Sequence, residues 1–367
     1  MIVKSLQLRQ FRNYQDLNLT FRPGLNVLEG ENGVGKTNVV EAIYYLSFAR
    51  SFRSGETTDL IAYDCDYASI EAEVLVGAYP KRMRIVLSSK GKQIICNGKE
   101  VKRLSELADF IHVLEFDPRD VNLFDVSPKY RRNFLDIQLS KRSIAYLEAM
   151  TRYEKLLKER NAILKENQIS KEHLDVVTEM MVKEAYIIDK ERKKYLCELN
   201  PIVNKVMNAI GGDKREISLH YLPFVDEEEE SAYTQKAREL YQKAYETDTR
   251  FRATSIGIHR EDFSTCLNGR EIDQFGSQGE KRMAALSLKV APYFLIEEKE
   301  KRPIVVLDDV LSELDETGQE RLLSFFERFE QVFLTGTKVN RRKNAHHYKV
   351  MNGRIKEGDE LWKKKKS

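Results

Sequence analysis

The chain has 367 residues, 41% of them hydrophobic and 32% charged, with 61 basic against 58 acidic side chains and a net charge of +3. That length suits two or three domains, and no apolar run approaches the ~18 residues of a membrane span, so a soluble protein is expected. Cys65, Cys96, Cys197 and Cys266 are scattered without a Cys-x-x-Cys pair, which argues against a disulfide framework or a zinc knuckle.

The start, MIVKSLQLRQF, is strand-like and lacks the apolar block and small-residue cleavage site of a signal peptide, so a cytoplasmic place is expected. Strands are predicted at Ile2 to Leu8, Leu17 to Phe21, Ile70 to Val76, Met83 to Leu87 and Ile94 to Cys96, with a turn at Asn97-Gly98. Between the second and third lies GLNVLEGENGVGKTNVVEAIYYL, residues 24–46. It contains Gly30, Glu31, Asn32, Gly33, Val34, Gly35, Lys36, Thr37 and Asn38, the Gly-x-x-x-x-Gly-Lys-Thr spacing of a phosphate-binding loop. The apolar run Leu25, Val27, Leu28 precedes it, and Val39, Val40, Ala42, Ile43 and Leu46 follow at helical spacing. Strand, loop and helix are what the mechanism requires. Backbone N–H groups curl around phosphate at a helix N-terminus, Lys36 reaches the β/γ oxygens, and the Thr37 hydroxyl ligates Mg²⁺.

At Ser127-Pro128 the pattern changes: Ser as N-cap and Pro at the first helical position open a long helical region. One apolar stripe runs through Leu147, Met150, Leu157 and Leu164, and another through Val177, Met180, Met181, Ile188, Tyr195 and Leu199. A turn at Asn167 to Lys171 would join two helices of about 30 residues into an antiparallel arm on the order of 45 Å long. The acidic run Glu227 to Glu230 is expected to be a solvated loop.

After about Thr249 strands return, at Ile304 to Leu307 and Val332 to Leu334, with helices around Met283 to Lys299 and Gln319 to Phe329. This alternation is an α/β signature. The expected organisation is a discontinuous ATPase domain, residues 1–112 and 249–367, split by a mostly helical arm, residues 113–248. The strand PIVVLDD ends in Asp308 and Asp309; Asp308 suits the Mg²⁺ shell and Asp309 a position from which to polarise attacking water. Ser277, Gln278, Gly279 and Glu280 form a Ser-x-x-Glu capping box at a helix start, which also exposes N–H groups to an anion. The tail Lys363 to Lys366 is either a frayed terminus or a nucleic-acid contact.

The order of Gly-Lys-Thr loop, helical insertion, Ser-Gln-Gly-Glu helix start, Leu-Asp-Asp strand and Ser312-Glu313-Leu314-Asp315 resembles the ABC-type ATPase heads of the SMC-like repair class, and within it the bacterial RecF family. The resemblance covers essentially the whole chain. It rests also on Phe11-Arg12-Asn13-Tyr14, Arg131 to Asp136, Gly257 to Asp262, Leu267-Asn268-Gly269 and Phe275 to Leu288. It implies an ATP-dependent homodimer in which each nucleotide lies between one subunit's P-loop and the other's signature helix. Ser277, Gln278, Gly279 and Glu280 would then act in trans, Asp315 would lie in the loop linking the two sites, and Arg12 and Asn13 would flank the nucleotide. It further implies binding of double-stranded and gapped DNA, slow DNA-stimulated ATP hydrolysis, and work with RecR and RecO in loading RecA, in the cytoplasm and at the nucleoid.

Three features depart from the family pattern. Glu280-Lys281-Arg282 stands where Gln-Gln-Arg is usual, Asp309 where most heads carry Glu, and Thr335-Gly336-Thr337 where a switch histidine is usual. Thr337 is a candidate γ-phosphate contact, Gln138 a candidate glutamine-loop residue, and His259 with Arg260 either a nucleotide or DNA contact or a structural pair. The competing readings are a soluble P-loop kinase, active as a monomer, and a nucleotide-regulated scaffold without turnover.

Overall fold

A computed structural model describes residues 1–212, 215–312 and 314–358. The Lys363 to Lys366 tail lies outside the described residues. The chain divides into two compact units: Met1–Val121, Lys205–Lys214 and Gln278–Ser367 form one, and Asn122–Asn204 with Arg215–Ser277 form the other.

In the first unit, short and almost uniformly apolar segments become strands buried on both faces, as parallel sheets require. Ile304–Leu307 is buried at all four positions and Gln331–Gly336 at all six. The sheet order is Arg354–Glu357, Ala345–Met351, Gly24–Glu29, Gln331–Gly336, Ile304–Leu307, Val113–Phe116, with only the first strand antiparallel to its neighbour. A second, fully antiparallel sheet runs Tyr14–Thr20, Ile2–Phe11, Tyr67–Val76, Tyr79–Ser88, Gly91–Cys96, Lys99–Glu100. Its alternating pattern fits one packed and one solvated face. The last two strands meet at Asn97-Gly98, both with positive φ (50° and 79°), the two-residue turn anticipated from the dipeptide.

The helix Lys36–Phe48 is buried nearly all round and shares one apolar core with both sheets: Val39, Ile43 and Leu46 cluster with Val306 and Phe333 and with Leu8, Ile70 and Ile85. Such all-round burial marks a core element and explains why its sequence shows little amphipathic contrast.

The second unit contains the helices Pro128–Arg142, Ile144–Ile163 and Glu230–Phe251, and most of the 41-residue helix Lys171–Gly211. A three-stranded antiparallel sheet, Arg270–Glu271, Asp262–Leu267, Ile217–Leu222, completes it. Ser127 caps the first helix with Pro at its start. The expected pair of equal helices is instead 20 and 41 residues long. Of the second stripe, Val177, Met181, Ile188, Tyr195 and Leu199 are buried while Met180 is half exposed. The first stripe holds only in part: Leu164 is buried, Met150 and Leu157 are half-buried and Leu147 is exposed, and the packed face of the helix runs through Tyr146, Ala149, Tyr153, Leu156 and Arg160. Polar-headed side chains can carry that face because their hydroxyls and guanidinium find buried partners. Glu227 to Glu229 are exposed, and Glu229 caps the helix that Glu230 begins, where the positive end of the helix dipole favours acids.

Unit bounds follow pairing. Residues 113–121 fall in the first unit because Val113–Phe116 pairs with Ile304–Leu307. Residues 249–277 fall in the second because Asp262–Leu267 pairs with Ile217–Leu222. The four cysteines are free thiols. Among the described residues no helix is long and apolar enough to cross a membrane.

Candidate nucleotide site

The strand Gly24–Glu29 leads through residues 30–35 into the helix Lys36–Phe48. Gly33 and Gly35 have φ of +81° and +109°, values that favour glycine. A Cβ on Gly35 would also lie 2.5 Å from the Asn13 amide nitrogen, so position 35 is closed to other side chains twice over. The Tyr14 hydroxyl donates to Gly35 O at 3.0 Å, and Asn13 Nδ2 donates to Val34 O at 3.2 Å. Asn38 Nδ2 donates to Asn13 Oδ1 at 2.8 Å. Asn13 therefore staples the loop from the side, while Glu31, Asn32 and Gly33 form its exposed lip.

Lys36 curls back over the loop, its Nζ donating to Gly30 O and Glu31 O at 2.7 Å each. Burial holds this ammonium below its ordinary pKa, opposed by Asp309 and Asp308. The loop's carbonyls thus hold Lys36 where an incoming phosphate would exchange for them.

Three residues converge next to it, Thr37 from the first turn of the helix and Asp308 and Thr335 from the ends of two strands. Thr37 Oγ1 donates to Asp308 Oδ1 at 3.0 Å, and Thr335 Oγ1 donates to the same oxygen at 2.6 Å. The Asp309 N–H donates to Thr335 Oγ1 at 2.9 Å. Burial pushes the Asp308 carboxyl up, the two hydroxyls oppose that, and Asp117 adds to it. Asp309 sits at φ +49°, and its carbonyl accepts from Arg282 Nη2 at 3.2 Å and from the Ser312 hydroxyl at 3.0 Å. A left-handed conformation is uncommon for a non-glycine residue, though Asp is among those that adopt it most readily.

The Thr37 hydroxyl and the Asp308 carboxylate are hard oxygen donors at one spot, the set that Mg²⁺ prefers when it keeps most of its waters. These residues fit a magnesium–nucleotide complex.

Other expected residues fall as follows. Arg12 is turned on the buried Glu41, with Nε and Nη2 donating at 3.0 and 2.7 Å, and its Nη1 donates to Asp59 O. Asp315 caps the helix Glu316–Phe326, its Oδ1 accepting from Gly318 N at 2.8 Å. Ser277 directly precedes the helix Gln278–Val290, which carries Gly279 and Glu280 in its first turn. Gln138 lies on Pro128–Arg142 in the second unit. His259 accommodates the Tyr153 hydroxyl at Nδ1 (2.8 Å), and Nε2 lies 3.3 Å from Thr254 O. Burial lowers its pKa to about 4, so its ring favours the neutral form among these internal partners.

Sequence reasoning missed Thr335 and Asp117. Thr335 is separated from Asp308 by a helix in the chain, and nothing in a Leu-Thr-Gly run marks its hydroxyl as part of a carboxylate clamp. Asp117 follows an apolar strand, as Asp308 does, and that parallel was a usable signal. Its carboxylate accepts from Arg119 N and Nε, and its own N–H donates to Asp120 Oδ2.

The family model described as the RecF/RecN/SMC N-terminal domain matches residues 2–356. "DNA replication and repair protein RecF" of Halalkalibacterium halodurans is 37% identical over 369 residues, covering 97% of this chain and 99% of that one. Its counterpart from Staphylococcus aureus is 34% identical over 97% of this chain and its own full length. A solved structure of the recombination mediator protein RecF with ATP superposes with a TM-score of 0.86 at 30% identity, covering 97% of each chain. The Smc head domain of Pyrococcus furiosus, at 14% identity and a TM-score of 0.58 over 100% of this chain and 99% of that one, shares the fold. The chain therefore belongs to the RecF/RecN/SMC N-terminal domain family, in its RecF branch of DNA replication and repair proteins.

Proposed function

We propose that the protein is an ATP-switched DNA clamp and loader with slow hydrolysis. In this reading Gly30 to Asn38 bind the nucleotide, Lys36 leaves the loop carbonyls for the β/γ oxygens, and Thr37 with Asp308 hold Mg²⁺. The metal supplies charge neutralisation between phosphate oxygens. Asp309 orients and polarises the attacking water, and its side chain, one methylene shorter than Glu, fits slow turnover. Ser277 to Glu280 of a second subunit close over the γ-phosphate, and Asp315 links the two sites. Closure grips double-stranded or gapped DNA through phosphate contacts, which makes affinity fall with salt and depend little on sequence. With RecR and RecO, the clamp would help load RecA in the cytoplasm, at the nucleoid.

The carrying observation is the convergence of Thr37, Asp308 and Thr335 beside Lys36, an arrangement whose oxygen donors and ammonium suit a divalent cation and a polyphosphate. The test is molecular mass by light scattering on Asp309→Asn, with and without ATP and Mg²⁺ and with a gapped duplex. A nucleotide-dependent shift from monomer to dimer that then takes up DNA supports the clamp. A protein saturated with ATP and Mg²⁺ that stays monomeric contradicts it; phosphate transfer to a small acceptor by that monomer would point to a kinase.

A further inference from the structure

The net charge of the whole chain is +3, yet Tyr79 to Arg103 alone holds eight Lys or Arg and one Glu. The rest of the chain is therefore slightly acidic. This segment forms the outer strands of the antiparallel sheet, Tyr79–Ser88, Gly91–Cys96 and Lys99–Glu100. Its register gathers the charges. Leu87 pairs with Lys92, and Ser88 with Gly91, so Lys90 and Lys92 stand at the hairpin tip. The last strand runs back along the hairpin, with Cys96 opposite Lys99 and the Val101 N–H donating to Ile94 O. Continuing that path carries Lys102 and Arg103 towards the same tip, since neighbouring strands lie only about 4.8 Å apart.

Lys90, Lys92, Lys99, Lys102 and Arg103 are all exposed. Lys92 Nζ donates to Ala49 O at 2.5 Å, which places Arg50 beside the same margin. The nearby acid, Glu106, is turned to the Arg103 N–H at 2.9 Å. Ala49 is also the C-cap of the P-loop helix Lys36–Phe48. The helix that starts at the phosphate loop thus ends, about 20 Å away, against this basic margin.

We propose that this margin is a docking surface for the phosphate backbone of duplex DNA; the inference deepens the clamp reading and rests on it. A protein partner is a poorer fit, because interfaces are anchored by aromatic and apolar residues, whereas these positions offer closely spaced cations, with Leu104 an exposed apolar side chain beside them. Phosphate contact needs nothing else. The lysine–carbonyl bond at Ala49 gives DNA at the margin a direct purchase on the P-loop helix.

The test compares the full-length protein with Lys90→Gln/Lys102→Gln/Arg103→Gln, and with a control carrying Lys155→Gln/Lys158→Gln/Lys165→Gln on an exposed face of Ile144–Ile163 and just beyond it. Fluorescence anisotropy with a labelled gapped duplex is read from low to moderate salt, in ATP and Mg²⁺. The margin variant is expected to lose on the order of tenfold or more in affinity, with a log–log salt slope shallower by roughly 2 to 3 if each removed cation meets one phosphate. The control should keep the parent affinity and slope. A margin variant that binds as the parent does, or a control that loses as much, overturns the docking surface while leaving the clamp intact. A parent that binds no DNA at any salt overturns the clamp, and the docking surface with it.

Discussion

The nucleotide site and the core of the helical unit treat buried charge in opposite ways, although away from the site the first unit too closes charges on one another, as Arg12 does on Glu41. At the nucleotide site, the Lys36 ammonium and the Asp308 carboxylate are held by neutral carbonyls and hydroxyls, partners that a phosphate or a cation can supplement or displace. In the helical unit the charges close on one another. Arg192 donates to Glu261 Oε2 at 2.8 Å, Asp136 Oδ1 at 2.7 Å, Ile258 O at 3.0 Å and the Tyr146 hydroxyl at 3.1 Å. Arg160 donates to Asp248, Thr178 and Thr254 and lies over the Tyr241 ring. Both guanidiniums are only 1% exposed. Charge left with exchangeable partners marks a site; charge saturated by fixed partners marks architecture. Strong burial alone does not separate the two.

The largest effect that would sharpen this contrast is at Asp309. Asp309→Asn is expected to lower ATP turnover about 10²- to 10⁴-fold, the usual worth of a general base, while nucleotide binding persists. A steady-state phosphate assay beside nucleotide titration checks it, and parent-like turnover would remove Asp309 from the chemistry. Lys36→Ala, by contrast, should abolish binding itself.

Arg192→Met tests the other side. It strands Glu261 and Asp136 without their cation, and breaking a buried pair costs about 3–5 kcal/mol. Urea unfolding followed by far-UV circular dichroism should show that loss, while any protein that remains folded still binds ATP. If ATP affinity fell and stability did not, the contrast between the units would be wrong.

Thr335→Val is a smaller perturbation. It keeps shape and burial but removes the hydroxyl that joins Asp308 to the Asp309 backbone. A hydrogen bond to a charged group is worth about 1.5–3 kcal/mol, so turnover should drop roughly tenfold or more and half-saturation should need more Mg²⁺. Thr335→Ser should restore both. Unchanged magnesium dependence in the valine variant would make Thr335 a packing residue only.

The smallest effect concerns pH. Burial pushes Asp189 up to about 7, against the Lys193 ammonium, so its folded form gains stability as pH falls from 7 towards 4 and loses it as pH rises. His259, lowered to about 4, does the reverse: stability present above pH 6.5 is lost on acidification through the folded value. The two nearly cancel in one window. Asp189→Asn removes the first of them, so between pH 7 and pH 5 its urea midpoint should fall relative to the parent's. A variant whose pH profile runs parallel to the parent's would show that Asp189 carries no such dependence.

Much of the nucleotide site was legible because it is local. Gly30 to Thr37 needs a strand before it and a helix after it, and both have their own patterns within 23 residues. Ile304–Leu307 announced itself as a buried strand by four consecutive apolar residues before two acids. Val113–Phe116 was missed because one of its four residues is Glu115, whose carboxylate is held by Lys289 at 3.3 Å. The helical arm was legible in kind but not in facing. The helix Ile144–Ile163 buries Tyr146, Tyr153 and Arg160 beside Leu156 while Leu147 is left exposed, a choice that depends on hydroxyl and carboxylate partners contributed by distant segments.

The chain alone therefore determined what backbone periodicity and turn chemistry can encode: the P-loop with its helix, the apolar strand that ends in Asp308 and Asp309, the Asn97-Gly98 turn and a long helical insertion. Tertiary structure decided which side chains share a hydrogen bond. Thr37, Asp308 and Thr335 lie on three segments hundreds of residues apart at the extreme, and only the parallel pairing of Gly24–Glu29, Gln331–Gly336 and Ile304–Leu307 brings their ends together. Strand order in a parallel sheet is a non-local property, set by which apolar faces bury one another, and no short stretch of sequence contains it.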